Sequence, residues 1–124
     1  MSIHVGTAPD SWGVWMPADP RQTPWQRFLD EVVEAEYPAI ELGPFGYLPT
    51  DAQRLSDELA RRTLELAGGT ISGALSAPDG WQTMRGTAAS ICDVLEDLGA
   101  RFLVLLDSGG EAPGQAMGRP PELD

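Results

Sequence analysis

The sequence predicts an α/β fold in which successive strand–helix units build a parallel sheet. Three observations predict it. Short apolar runs recur with centres near residues 5, 40, 67 and 104, a spacing that suits βα units of about 30 residues or more. Between these runs lie segments whose apolar residues follow helical spacing. The last run, Arg101–Leu106 (RFLVLL), is apolar without alternation, the pattern of a strand buried on both faces under helices. At 124 residues the chain is one domain or part of a larger one.

Ile3 to Thr7 reads as the first strand. Pro9 stops it, because proline has no N–H for a ladder and steers Ala8 away from helix. Asp10 to Trp15 has neither helical nor strand period and reads as a polar, aromatic loop. Thr23-Pro24-Trp25-Gln26 starts a helix, with Thr23 as the cap, Pro24 in the first turn and Gln26 reaching back. Trp25, Phe28, Leu29, Val32 and Val33 form its apolar stripe, and Pro38 ends it near Glu36. Ala39 to Leu42 is a second strand, closed by Gly43-Pro44 and a loop holding Phe45 and Tyr47.

Thr50-Asp51-Ala52-Gln53 repeats the capping-box pattern. The helix behind it turns Leu55 and Leu59 inward, sets Glu58 four residues before Arg62 and ends near Thr63. Leu64 to Ile71 is a third strand, in which Gly68-Gly69 marks a bulge or a close backbone approach. After a loop from Ser72 to Gly80, a third helix runs from Gln82 to Leu98, with Met84, Ala88, Ile91, Leu95 and Leu98 on one face and Gly99 just past its end. Asp107 closes the fourth strand, and residues 108–124 read as loop or tail. With right-handed crossovers all four strands run the same way, and their carboxyl ends bring Asp10, Glu41, Ser72 and Asp107 to one rim.

The net charge of −11 comes from 19 acidic residues against eight arginines, with no lysine. Such a chain repels phosphate backbones and anionic lipid surfaces, which argues against nucleic-acid and membrane partners and leaves a small neutral ligand or a divalent cation. The amino terminus shows no secretory pattern, and no run approaches the 18 or so apolar residues of a membrane span. The single cysteine, Cys92, permits no internal disulfide; with the missing leader this sets the expectation of a cytoplasmic protein.

The segments GTAPDSWGVW, TPWQRFLDEVVEAE, ELGPFGYLPT, GGTISG and RFLVLLD, taken together, resemble the amino-terminal half of the sugar-phosphate isomerase/epimerase family. These are xylose-isomerase-like (β/α)8 barrels, inosose dehydratase-like members among them. The likeness extends to GRPPELD near the end. It implies that residues 1–107 are a partial TIM barrel, four of the eight units that a barrel of about 250 residues needs. It further implies a small sugar or cyclitol substrate and a manganese-like divalent metal cofactor. In the family that metal is held by Glu, Asp and His of later strands, and no position of this chain matches those ligands. A complete relative moves a proton next to a carbonyl, as an isomerase, epimerase or keto-inositol dehydratase. This chain alone is expected to be inactive. The resemblance places Trp12, Glu41 and Tyr47 near the sugar-binding rim.

Each candidate also has a plainer reading. Glu41 and Asp107 can bind hydroxyls at the rim, or simply meet solvent at a strand end. Trp12, Trp15 and Tyr47 can stack on a sugar face or bury against neighbours; Trp12 is the better stacking candidate of the two tryptophans. Asp10 reads as an Asx-turn closing its own loop. His4 reads as structural, and Cys92 as a small core residue. Two non-catalytic alternatives stand beside the enzyme fragment. One is a half-barrel that self-associates through the open edges of its first and fourth strands. The other is a small doubly wound binding domain, with helices on both faces and a switch in strand order.

Overall fold

The computed structural model describes residues 2–108. Eight elements follow in order: β1 (Gly6–Thr7), a 3-10 turn (Pro9–Trp12), α1 (Trp25–Glu34), β2 (Ala39–Glu41), α2 (Ala52–Ala60), β3 (Glu65–Gly73), α3 (Gly80–Asp97) and β4 (Phe102–Asp107). The four strands form one sheet in the order β1-β2-β3-β4, and every pairing is parallel. The predicted α/β class and parallel βα alternation hold. The order never reverses among the described residues, so the sheet lacks the switch point that a doubly wound domain requires. The proposed tail at 108–124 lies outside the described residues except for Ser108.

One core joins all three helices to the sheet. Phe28, Leu29 and Val32 of α1, Leu55 of α2 and Ile91 of α3 are buried with Ile40 of β2. Truncating Phe28 to alanine would cost about 3–5 kcal/mol, the usual penalty for emptying such a site. Val33, assigned to the stripe from spacing, is 43% exposed because it sits at the stripe's margin. Cys92 is exposed rather than part of the core: it follows Ile91 by one residue, a 100° turn away from the buried face. Among the described residues no helix is long and apolar enough to cross a membrane.

The three helices end alike. Glu36, Thr63 and Gly99 each adopt positive φ, at 65°, 54° and 75°. The N–H of each bonds three residues back, to Val33, Ala60 and Glu96, and the next N–H reaches five back, to Val32, Leu59 and Leu95. This paired reverse bonding caps the last carbonyls and swings the chain into the following strand. Only the third uses glycine, as expected from its placement after the apolar pattern.

The helix starts differ from the sequence reading. Pro24, not Thr23, is the N-cap of α1, and its side chain offers no acceptor. Asp51, not Thr50, caps α2, accepting from the Arg54 N–H at 2.8 Å. The Glu58–Arg62 pair forms at 2.7 Å, and the same guanidinium bonds Asp30 at 2.7 Å, tying the end of α2 to α1.

The glycine pair in β3 serves both expected purposes. Ile40 faces Leu66 but Glu41 faces Gly68, so Ala67 is an extra residue at a bulge. A Cβ on Gly68 would lie 2.7 Å from the Phe102 carbonyl oxygen, which forces glycine there. Beyond the bulge, Gly69 and Gly73 face α3, where a Cβ would meet Ile91 and Met84, respectively. By strand alternation Thr70 and Ser72 then face the opposite side, in line with Glu41.

The fourth strand corrects an expectation. It is not buried on both faces: Phe102, Val104, Leu105 and Leu106 are 68%, 42%, 48% and 49% exposed. Among the described residues it is the sheet's edge, with β3 as its one neighbouring strand, and α3 packs on β3. Only Leu103 reaches the core. The apolar run reports a need for cover that no described element meets.

Candidate ligand pocket at the strand ends

The loops that follow the strands at their carboxyl ends enclose a pocket of about 420 Å³. Its walls include Asp10, Trp15, Glu41, Phe45, Thr70 and Ser72. Most of the remaining lining is apolar, among it Val14, Ile91 and Leu106, the usual balance of a small-molecule site.

The first wall is built by the turn after β1. Pro9 is buried and sits in the first turn of the 3-10 segment, where its missing N–H costs nothing. The Ser11 N–H donates to Ala8 O, Gly13 to Asp10 O and Val14 to Pro9 O, and Gly13 closes the turn at φ 74°. The turn is thus closed by backbone carbonyls. The Asp10 carboxylate takes no part in it, so the Asx-turn reading gives way, and the side chain is exposed in the pocket wall. Gly43, at φ 66°, lies so close to Pro9 that a Cβ would sit 2.5 Å from Cγ; the β2 loop and this turn lock together at that point.

Trp15 stands in the wall with 70% of its surface exposed. Its backbone is fixed by Gln22, whose Oε1 accepts from the Trp15 N–H at 2.8 Å and the Met16 N–H at 2.9 Å while Nε2 donates to Met16 O at 2.9 Å. Nothing in the local sequence pattern singles out Gln22, because the clamp is made seven residues from Trp15.

Trp12 and Tyr47, named from the sequence as rim residues, line other surroundings. The Trp12 ring meets Phe28 edge-on at 5.0 Å and donates its N–H to Glu31 at 2.8 Å. Tyr47 is buried beside Phe28, and its hydroxyl donates to the Thr23 carbonyl at 2.6 Å. Burial pushes that phenol up to about 12. Both aromatics are held by α1 and the segment before it. Glu41 does line the pocket, half-buried at the end of β2.

Asp107 stands at the rim but not in the pocket wall. It pairs in register with Gly73, on the α3 side of the sheet, while Leu106 turns to the pocket. Its Oδ1 lies 3.4 Å from both the N–H and the hydroxyl of Ser76. Ser72, placed on the rim from its position after the third strand, lines the pocket; Thr70, which the sequence reading left out, lies beside it. Two-residue alternation behind the Gly68 bulge is the signal that would have found it. His4 lies 3.5 Å from Glu65 and is not part of the pocket.

Among the described residues, the carboxylates of Asp10 and Glu41 form no hydrogen bond or ion pair with protein groups, leaving both available to a ligand. Among the described residues no three His, Cys, Asp or Glu side chains gather into a metal-holding group. The chain matches no family model and no curated protein.

Proposed function

We propose that the pocket binds a small polyhydroxylated ligand, a sugar or cyclitol, and that the four βα units are the amino-terminal half of a (β/α)8 barrel of the sugar-phosphate isomerase/epimerase kind. The observation that carries this reading is the pocket at the carboxyl ends of the strands, where an exposed indole stands with two unpaired carboxylates and two hydroxyl side chains. A carboxylate accepts from adjacent hydroxyls of a polyol, while Thr70 and Ser72 both donate and accept. The Trp15 face covers the apolar C–H surface of a ring. The unreversed parallel order supports a barrel segment, since barrels add strands in sequence and place ligands at this end.

In this reading the chain binds and orients the substrate. A divalent ion, with the groups that move a proton beside a carbonyl, belongs to a second half of the barrel, so this chain alone binds without turnover, in the cytoplasm. Isothermal titration of the purified chain with D-xylose, D-fructose and myo-inositol tests the reading. Saturable binding by at least one, weakened by Asp10→Asn or Glu41→Gln, supports it. No heat from any of the three, with the chain shown folded by circular dichroism, overturns it.

The exposure of Val104, Leu105 and Leu106 favours a second reading, in which two copies associate through open sheet edges, β4 of one beside β1 of the other. Light scattering decides it. A dimer that becomes a monomer in Val104→Lys/Leu106→Lys supports association, and a monomer at high protein concentration removes it.

A further inference from the structure

We infer that this pocket selects the uncharged polyol and turns away its phosphate ester. The inference rests on the reading just given and adds the charge class of the ligand. Three observations carry it.

The first is the lining itself. Among the described residues its only ionisable side chains are Asp10 and Glu41, with no arginine, lysine or histidine. A phosphate dianion entering there meets two like charges and, among those residues, no counter-charge. The second is where the arginines are spent. Arg21 pairs with Asp19 and Arg27 with Glu31. Arg61 and Arg62 pair with Glu58, and Arg54 lies over the Trp25 ring at 5.7 Å. Arg85, exposed on α3, has no acidic or aromatic partner among the described residues, and it is not among the residues that line the pocket. Arg101 precedes β4, at the opposite end of that strand from the pocket. Arg119 lies outside the described residues.

The third is that none of the described lining residues comes from the first turn of an α-helix. Thr87 and Ile91 are the α3 contributions, eight and twelve positions into that helix. Phosphate sites are commonly made from the free N–H groups of a helix start, where the helix dipole adds positive potential. Here helix interiors face the ligand instead. The chain's net charge of −11 adds a long-range field of the same sign.

The inference is tested by titrating the chain with matched pairs at low ionic strength: myo-inositol against myo-inositol 1-phosphate, and D-fructose against D-fructose 6-phosphate. The expected result is that the neutral member binds at least about tenfold more tightly than its ester, a like-charge penalty reasonable for groups several ångströms apart in a partly wet site. The gap should narrow as sodium chloride is raised towards about 0.5 M, because screening weakens the repulsion. It should also narrow in Asp10→Asn/Glu41→Gln, read as the ratio of the two affinities, so that a general loss of binding does not mimic the effect. An ester that binds as tightly as its neutral partner, or more tightly, overturns the charge inference and leaves the carbohydrate pocket standing. Failure of both members to bind overturns the pocket reading and the inference with it.

Discussion

The indole N–H of Trp12 donates to the Glu31 carboxylate at 2.8 Å, joining the turn after β1 to the middle of α1 across nineteen residues. The same ring packs edge-on against Phe28, at the centre of the core. Trp12 is therefore a brace for the pocket's first wall. Trp12→Ala should destabilise the chain by about 2–3 kcal/mol, towards the lower end of large aromatic truncations because the ring is half-buried. Trp12→Phe, which keeps the ring contact and loses the N–H, should cost much less. Urea denaturation of the two variants checks the order.

Glu31 is held below the usual carboxylate range, first by the Arg27 hydrogen bond at 2.7 Å and then by the Trp12 N–H. Because its folded pKa is depressed, its stabilising effect is complete above the ordinary glutamate value of 4.5 and fades as pH falls through the folded pKa. Glu31→Gln should lower the melting temperature at pH 7 and bring the variant and the parent together as pH is lowered below about 4. Parallel melting curves across pH 3–7, with a constant offset, would contradict this.

Tyr47 behaves in the opposite sense. Its folded pKa is raised to about 12 by burial, so the folded state keeps its proton where the unfolded chain loses it. Stability is unaffected below the ordinary tyrosine value of 10.0 and is lost as pH rises through the window from 10 to about 12. An ultraviolet titration should show one phenol ionising late. Tyr47→Phe leaves the Thr23 carbonyl without this donor and should cost about 1 kcal/mol at neutral pH.

Thr63 holds φ 54° at the end of α2, a region that β-branched residues avoid. Thr63→Gly should raise stability by about 0.5–1 kcal/mol, the relief of a left-handed conformation less the entropy that glycine loses on folding. The same change at Gly99, made in reverse as Gly99→Thr, should destabilise. Thermal denaturation of the pair gives both signs.

Trp15 is the counterpart of Trp12. With 70% of its surface exposed and its backbone held by Gln22, Trp15→Ala should change stability by less than about 0.5 kcal/mol and weaken polyol binding about tenfold. The comparison with Trp12→Ala, which should lose stability first, separates a wall that contacts ligand from a brace behind it.

The sequence by itself determined the α/β class, the direction of the strands, the cores of the helices and the use of glycine at Gly68 and Gly99. These follow from local chemistry: apolar period, proline stops, a close backbone approach that leaves no room for a Cβ at Gly68, and a positive φ that favours glycine at Gly99. It also placed Asp10, Glu41 and Ser72 among the residues that meet at the strand ends. Only the tertiary structure decided which aromatics face the pocket. Trp12 and Trp15 are three residues apart in one loop, and their fates depend on Phe28, Glu31 and Gln22, which composition and spacing cannot assign to either. It likewise decided that Asp107 turns away while Leu106 turns in, and that the apolar β4 stands uncovered. A strand's pattern records which faces should be buried, but the cover must come from another element, and the pattern does not contain that element.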